Sequence, residues 1–122
     1  MESGDWLSRD EATVDACIAD RYCGFGIDPG SAKLMFAGAR RVADAAQTGA
    51  MRPGLPVYIA VGEADPVNGG LALPTPLTDR YAAAGLTDVT VRTYPGARHE
   101  VLSETNRDEI TGWINRILAG SR

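Results

Sequence analysis

A carboxylate bonded to an imidazole makes a general base, and this chain sets one acid and its only histidine in matching positions. His99 follows a strand-like run, within Tyr94-Pro95-Gly96-Ala97-Arg98-His99-Glu100. Asp65 follows another, Pro56-Val57-Tyr58-Ile59-Ala60-Val61-Gly62, which opens onto Glu63-Ala64-Asp65-Pro66. A carboxylate that accepts the Nδ1–H fixes the imidazole tautomer and leaves Nε2 to take a proton from a hydroxyl nucleophile. Acid first and histidine second is the latter part of a Ser…Asp…His triad. The nucleophile is missing. The serines are Ser3, Ser8, Ser31, Ser103 and Ser121, and none lies in Gly-x-Ser-x-Gly.

Other chemistry-bearing residues have plainer readings. Glu63 and Asp65 could be paired carboxylates, but with Asp65 on the histidine, Glu63 reads as solvated. Glu100 could orient His99, but it too reads as solvated. Asn68-Gly69-Gly70 lacks the Lys and the glycine spacing of a phosphate-binding loop, so it reads as a turn. Cys17 and Cys23 have no third and fourth ligand for a structural zinc and read as reduced core thiols. No metal or organic cofactor is expected. Trp6, Phe25 and Phe36 could line a ligand pocket, although aromatics in such segments are more often core.

The elements that must position Asp65 and His99 follow from periodicity. Ser8 or Asp10 can cap a helix through about Asp20, with Val14, Cys17 and Ile18 on one face. Asp28-Pro29-Gly30-Ser31 starts a second helix to about Ala46, with Leu34, Met35, Gly38 and Val42 on its apolar face. Gly38 there suggests close packing. Strand 57–61 is apolar at every position, as in a strand buried on both faces of a parallel sheet. Pro74 or Pro76 opens a helix that stops at Gly85. Residues 89–94 alternate like an edge strand with one face partly wet. Asn106 and Glu109 form a capping pair for a last helix with Ile110, Trp113, Ile114, Ile117 and Leu118 as its stripe.

Strand, helix, strand, helix is a βαβ unit with a closing helix, and such a crossover makes its strands parallel neighbours. Loops leaving their C-terminal ends then emerge side by side, so Asp65 and His99 should meet although 34 positions apart. The fold expected is α/β, with two parallel strands at about 56–62 and 89–94 and flanking helices. The sheet is incomplete, because strand 57–61 has one partner and a bare second edge.

Composition sets the outer limits. The 122 residues allow one domain, and 44% hydrophobic with 23% charged residues is ordinary for a globular chain. Net charge is −4 with no basic stripe, which argues against nucleic acid. No apolar run approaches the ~20 residues of a membrane span. The N-terminus lacks the basic and apolar regions of a signal peptide. A cytoplasmic protein is the expectation.

Gly62-Glu63-Ala64-Asp65-Pro66-Val67 and the stretch from Tyr94 to Leu102 closely resemble the acid and histidine loops of α/β-hydrolases. The resemblance is to the lysophospholipase and monoacylglycerol-lipase (serine aminopeptidase-like) group. Ser8-Arg9-Asp10 and Cys23-Gly24-Phe25 resemble its cap and post-cap segments, and residues 104–109 resemble the start of its last helix. The resemblance implies Asp65 as triad acid and His99 as triad base. It implies residues 1–54 as a cap remnant with post-cap helices, and 55–122 as the C-terminal unit of the core. The elbow serine and oxyanion loop of that group lie upstream of the matched region. The implied function is the C-terminal part of a serine ester hydrolase acting on an acyl ester or lipid, completed by an N-terminal half or partner chain along the open sheet edge. The alternative is a non-catalytic half-hydrolase that binds or assembles through that edge.

Overall fold

The computed structural model describes residues 4–44 and 49–120, apart from the side chain of Ile117. Two helices come first, α1 at Glu11–Ala19 and α2 at Pro29–Val42. Strand β1 at Val57–Gly62, helix α3 at Pro74–Ala83, strand β2 at Val89–Tyr94 and helix α4 at Arg107–Gly120 follow. Single 3₁₀ turns at Pro66–Asn68 and Val101–Ser103 interrupt the two loops that leave the strands.

β1 and β2 pair in parallel, from Val57 opposite Val89 to Gly62 opposite Tyr94. Among the described residues they form a two-stranded sheet, with β1 laddered on one edge only. The architecture is α/β, with two parallel strands in an open sheet and flanking helices. α3 starts on Pro74, whose missing N–H costs a first-turn residue nothing. It stops where Gly85 turns left-handed at φ +84° and Leu86 N–H reaches back to Tyr81 O.

The core lies on the side of the sheet that carries Tyr58, Ala60, Arg92 and Tyr94. Tyr94, Ala97 and Ile110 are fully buried, with Ala60, Val101 and Ile114 packed against them. Trp113 on α4 stacks on Tyr58 at 4.4 Å between ring centroids. Arg92 spans the same face and pairs with Glu109 on α4 at 2.5 Å. Burial and a hydrogen bond with the Tyr94 hydroxyl push the Tyr58 phenol above its usual range.

Several expectations about burial need correction, and they share a cause. Val57–Ala60 are only half-buried rather than sealed on both faces. The alternation expected of β2 does hold, its wetter face being the one that carries Val91, which is 41% exposed. On α2, Leu34, Met35 and Val42 are exposed, and a Cβ at Gly38 would meet nothing within 4 Å. Ile18 and Phe25 are exposed, and Cys23 is an exposed rather than a core thiol. Periodicity identifies an apolar face but not what covers it, and the described residues leave these faces open. α2 ends at Val42, and the expected end at Ala46 lies outside the described residues, as does the side chain of Ile117.

The capping expectations also shift. Asp28 caps α2 as anticipated, its Oδ1 accepting from Gly30 and Ser31 N–H. Asp10 stands at the start of α1 but makes no cap, because its carboxylate pairs with Arg107. Asn106 Oδ1 accepts from Arg9, and Glu109 is taken by Arg92, so neither builds a capping box.

Ile110 is the α4 residue at the centre of the core. Ile110→Ala should lower stability by about 2–5 kcal/mol, read by urea unfolding. A loss below about 1 kcal/mol would show that α4 is not closed onto the sheet.

Candidate active site

Beyond the strands the two loops stay in contact. Glu63 N–H donates to Tyr94 O and Ala64 N–H to Ala97 O, which extends the pairing past the ladder. The approach is close enough to demand glycine at position 62. A Cβ there would lie 2.1 Å from Arg98 O and 2.5 Å from Ala97 O.

Asp65 then opens the 3₁₀ turn, and its Oδ1 accepts from Val67 N–H at 2.8 Å. Its second oxygen, Oδ2, lies 3.1 Å from His99 Nδ1. An ionised carboxylate can only accept, so Nδ1 carries the proton and Nε2 is left with its lone pair. The Asp65 side chain is 10% exposed and that of His99 is 36% exposed. The carboxylate is thus sheltered, while the imidazole reaches the surface. Both line a pocket of about 290 Å³ whose apolar walls include Ile59, Val61, Leu73 and Leu77.

Asn68 supports this loop from below. It is buried, its Nδ2 donating to Gly62 O at 2.6 Å and its Oδ1 accepting from Leu71 N–H. Gly69 and Gly70 follow in left-handed conformations, so the Asn-Gly-Gly run serves the turn. Glu63 is exposed but accepts from Gly96 N–H, a tie between loops that solvation alone does not describe.

The pair has further neighbours, of which sequence pattern marks Trp6 but not its place against His99. Residues 4–10 form a strap against the histidine loop, where His99 N–H donates to Trp6 O and Glu100 N–H to Leu7 O. The Trp6 ring tilts over the imidazole with centroids 5.0 Å apart. Glu104 is completely buried. It accepts from Arg98 N–H at 2.7 Å, Arg9 N–H at 3.1 Å and Arg9 Nε at 2.8 Å. Nothing in local sequence marks Glu104 as buried, because its partners come from residue 9 and residue 98. Gly62 did carry a signal, since glycine ending a strand often marks close backbone approach.

Two of the three described serine hydroxyls are engaged elsewhere. Ser8 Oγ donates to Ser103 O and accepts from Asp10 N–H, and Ser31 Oγ donates to Asp28. Ser3 and Ser121 lie outside the described residues. A hydrogen bond with Cys17 raises the Cys23 thiol, which disfavours a thiolate nucleophile. Among the described residues no group of three or more metal-ligating side chains is clustered. No helix among them is long and apolar enough to cross a membrane.

A family model described as serine aminopeptidase, S33, matches residues 2–106, a span that holds both strands and both loops. The chain belongs to the serine aminopeptidase family. It is therefore an α/β-hydrolase relative, with serine-hydrolase-like function as the family's general character. A search of curated proteins returns no match. Within the family span sit Gly62, Asp65, Asn68, His99 and Glu104, whereas α4 lies beyond it.

Two outcomes test this geometry. Gly62→Ala should destabilise by about 1–3 kcal/mol, since backbone carbonyls rather than a flexible side chain must move. Unchanged urea stability would show that the loops are not in contact.

The second concerns pH. Burial opposes the charge on Glu104, and bonds from the Arg9 side chain and the Arg98 and Arg9 N–H groups more than offset it. Its carboxyl therefore lies below the usual range. A lowered folded value means the contribution is full above the unfolded value near ~4.3 and disappears as pH falls through the folded one. The native chain should exceed Glu104→Gln in stability at neutral pH, with the gap closing below about pH 4. A gap that stays constant into acid would contradict the ionised, paired state.

Proposed function

We propose that this chain supplies the acid and base of a serine ester hydrolase of the lysophospholipase and monoacylglycerol-lipase kind. The Asp65–His99 contact at 3.1 Å is the observation that carries this reading. Asp65 orients the imidazole and offsets the charge it gains, and His99 serves first as general base and then as general acid. Nε2 takes the proton of an attacking serine hydroxyl as its oxygen adds to the ester carbonyl. The imidazolium then gives that proton to the departing alcohol, leaving an acyl-serine. Water repeats the sequence and releases the carboxylic acid. The apolar walls of the pocket beside His99 support an acyl substrate.

The serine and its oxyanion donors come, in this proposal, from an N-terminal half or a partner chain seated along the bare edge of β1. Residues 1–54 are the remnant of a cap and its following helices, and 55–122 are the closing unit of the core. No cofactor enters this scheme. The free thiols Cys17 and Cys23 fit a reducing, cytoplasmic setting.

A second reading rests on the open sheet edge together with the exposed apolar side chains of α2. In it the chain is a non-catalytic half-hydrolase that recruits a partner. A complex of defined stoichiometry, inactive and unaffected by Asp65→Asn or His99→Gln, would decide for that reading.

The purified chain alone should hydrolyse p-nitrophenyl butyrate no faster than buffer. Source DNA upstream of Met1 should encode a strand, Gly-x-Ser-x-Gly and a helix, in frame or in a neighbouring gene. Joined to that segment, the chain should gain esterase activity that His99→Ala abolishes and Asp65→Asn lowers by about 10⁴-fold. Turnover by the isolated chain that His99→Ala removes would contradict the proposal.

A further inference from the structure

His99 sits in a loop that no helix or strand holds, so its position depends on tertiary hydrogen bonds. Those bonds converge on one group. The Glu104 carboxylate is buried and receives three donors, one from Arg98 immediately before the histidine and two from Arg9 in the strap. Beyond Glu104 the strap is tied to the same loop again. Arg98 Nη1 donates to Asp5 O and Ser8 O, and the backbone N–H groups of His99 and Glu100 donate to Trp6 O and Leu7 O. The strap places the Trp6 ring against the imidazole.

We infer that Glu104 is a positioning residue for His99, clamping the strap and the histidine loop together through one buried carboxylate. The inference rests on the reading of Asp65 and His99 as an acid–base pair, and it extends that pair to a residue that touches neither side chain. The physical reason is the donor count. Without Glu104, three N–H groups lose their acceptor, two of them on the backbone, and a buried donor left unpaired drives the chain apart. The strap is then held to the loop by fewer bonds, and the Nδ1–Oδ2 contact loses part of the backbone support that aims it. Glutamate suits the place because two oxygens are needed, and the positive Arg9 guanidinium favours a charged acceptor.

The single histidine makes the test direct, because ¹⁵N-histidine labelling reports one imidazole. In Glu104→Met, which keeps bulk but removes the acceptors, the share of Nδ1–H tautomer should fall. Amide exchange at Arg98, His99 and Glu100 should quicken by at least about tenfold. Glu104→Gln, which retains an oxygen for Arg98 N–H, should restore much of the native tautomer. Should Glu104→Met fail to fold, Glu104→Asp withdraws the carboxylate by one methylene and should shift the tautomer in the same direction. A native tautomer and native exchange in folded Glu104→Met or Glu104→Asp would overturn the inference. Asp65→Asn in the same chain separates the two claims. If it moves the tautomer while the Glu104 variants do not, only the positioning role fails. If it leaves the tautomer unchanged, the pair itself is wrong and the positioning role falls with it.

Discussion

The parallel register of β1 and β2 is the constraint from which the site follows. With Gly62 opposite Tyr94, both strands end at the same level and their loops leave on the same side. Two further backbone bonds carry the pairing into the loops, to Glu63 and Ala64. Parallel neighbours stand ~4.8 Å apart, so side chains a few residues beyond the ladder come within reach of one another. Asp65 and His99 meet because the ladder has already brought their backbones together. Gly62 is the narrowest point of that approach. A side chain there would occupy the space of the Arg98 carbonyl.

Three different supports act on the loops around the pair, and two of them use polar groups withdrawn from water. Asn68 fixes the acid loop to the end of β1, and the Val67 N–H turns the Asp65 carboxylate. Glu104 fixes the histidine loop to the strap. The Arg107–Asp10 pair ties the start of α1 to α4, holding the Asp10 carboxyl below its ordinary range and raising the Arg107 guanidinium. That last pair is exposed, so it adds direction more than stability. The two-stranded sheet has a small apolar core at Tyr94, Ala97 and Ile110, and these polar ties hold the rest of the loops to it.

Much of this was legible from residue order alone, for reasons that can be named. The apolar run before Gly62, the alternation over 89–94 and the proline-to-glycine helix between them specify a βαβ unit. That topology implies the meeting of Asp65 and His99. What stayed hidden depended on distant partners. Glu104 reads as one more surface acid until Arg9 and Arg98 are beside it, and Asn68 reads as a turn residue although it is buried. The errors lay in burial. Val57–Ala60, Gly38 and Val42 have the pattern of covered positions, but the described chain holds only one strand beside β1 and nothing against Gly38. Sequence periodicity marks a face as apolar without saying what covers it.

The acid–base pair is defined by the state of one imidazole. The most direct measurement is the ¹⁵N spectrum of His99 in the unmodified chain, taken at a pH where the ring is neutral. A protonated Nδ1 and a bare Nε2 are expected, the tautomer a neighbouring Asp65 carboxylate imposes. A ring protonated on Nε2, or one exchanging freely between both forms, would mean that Asp65 does not hold it, and the acid–base assignment would be lost.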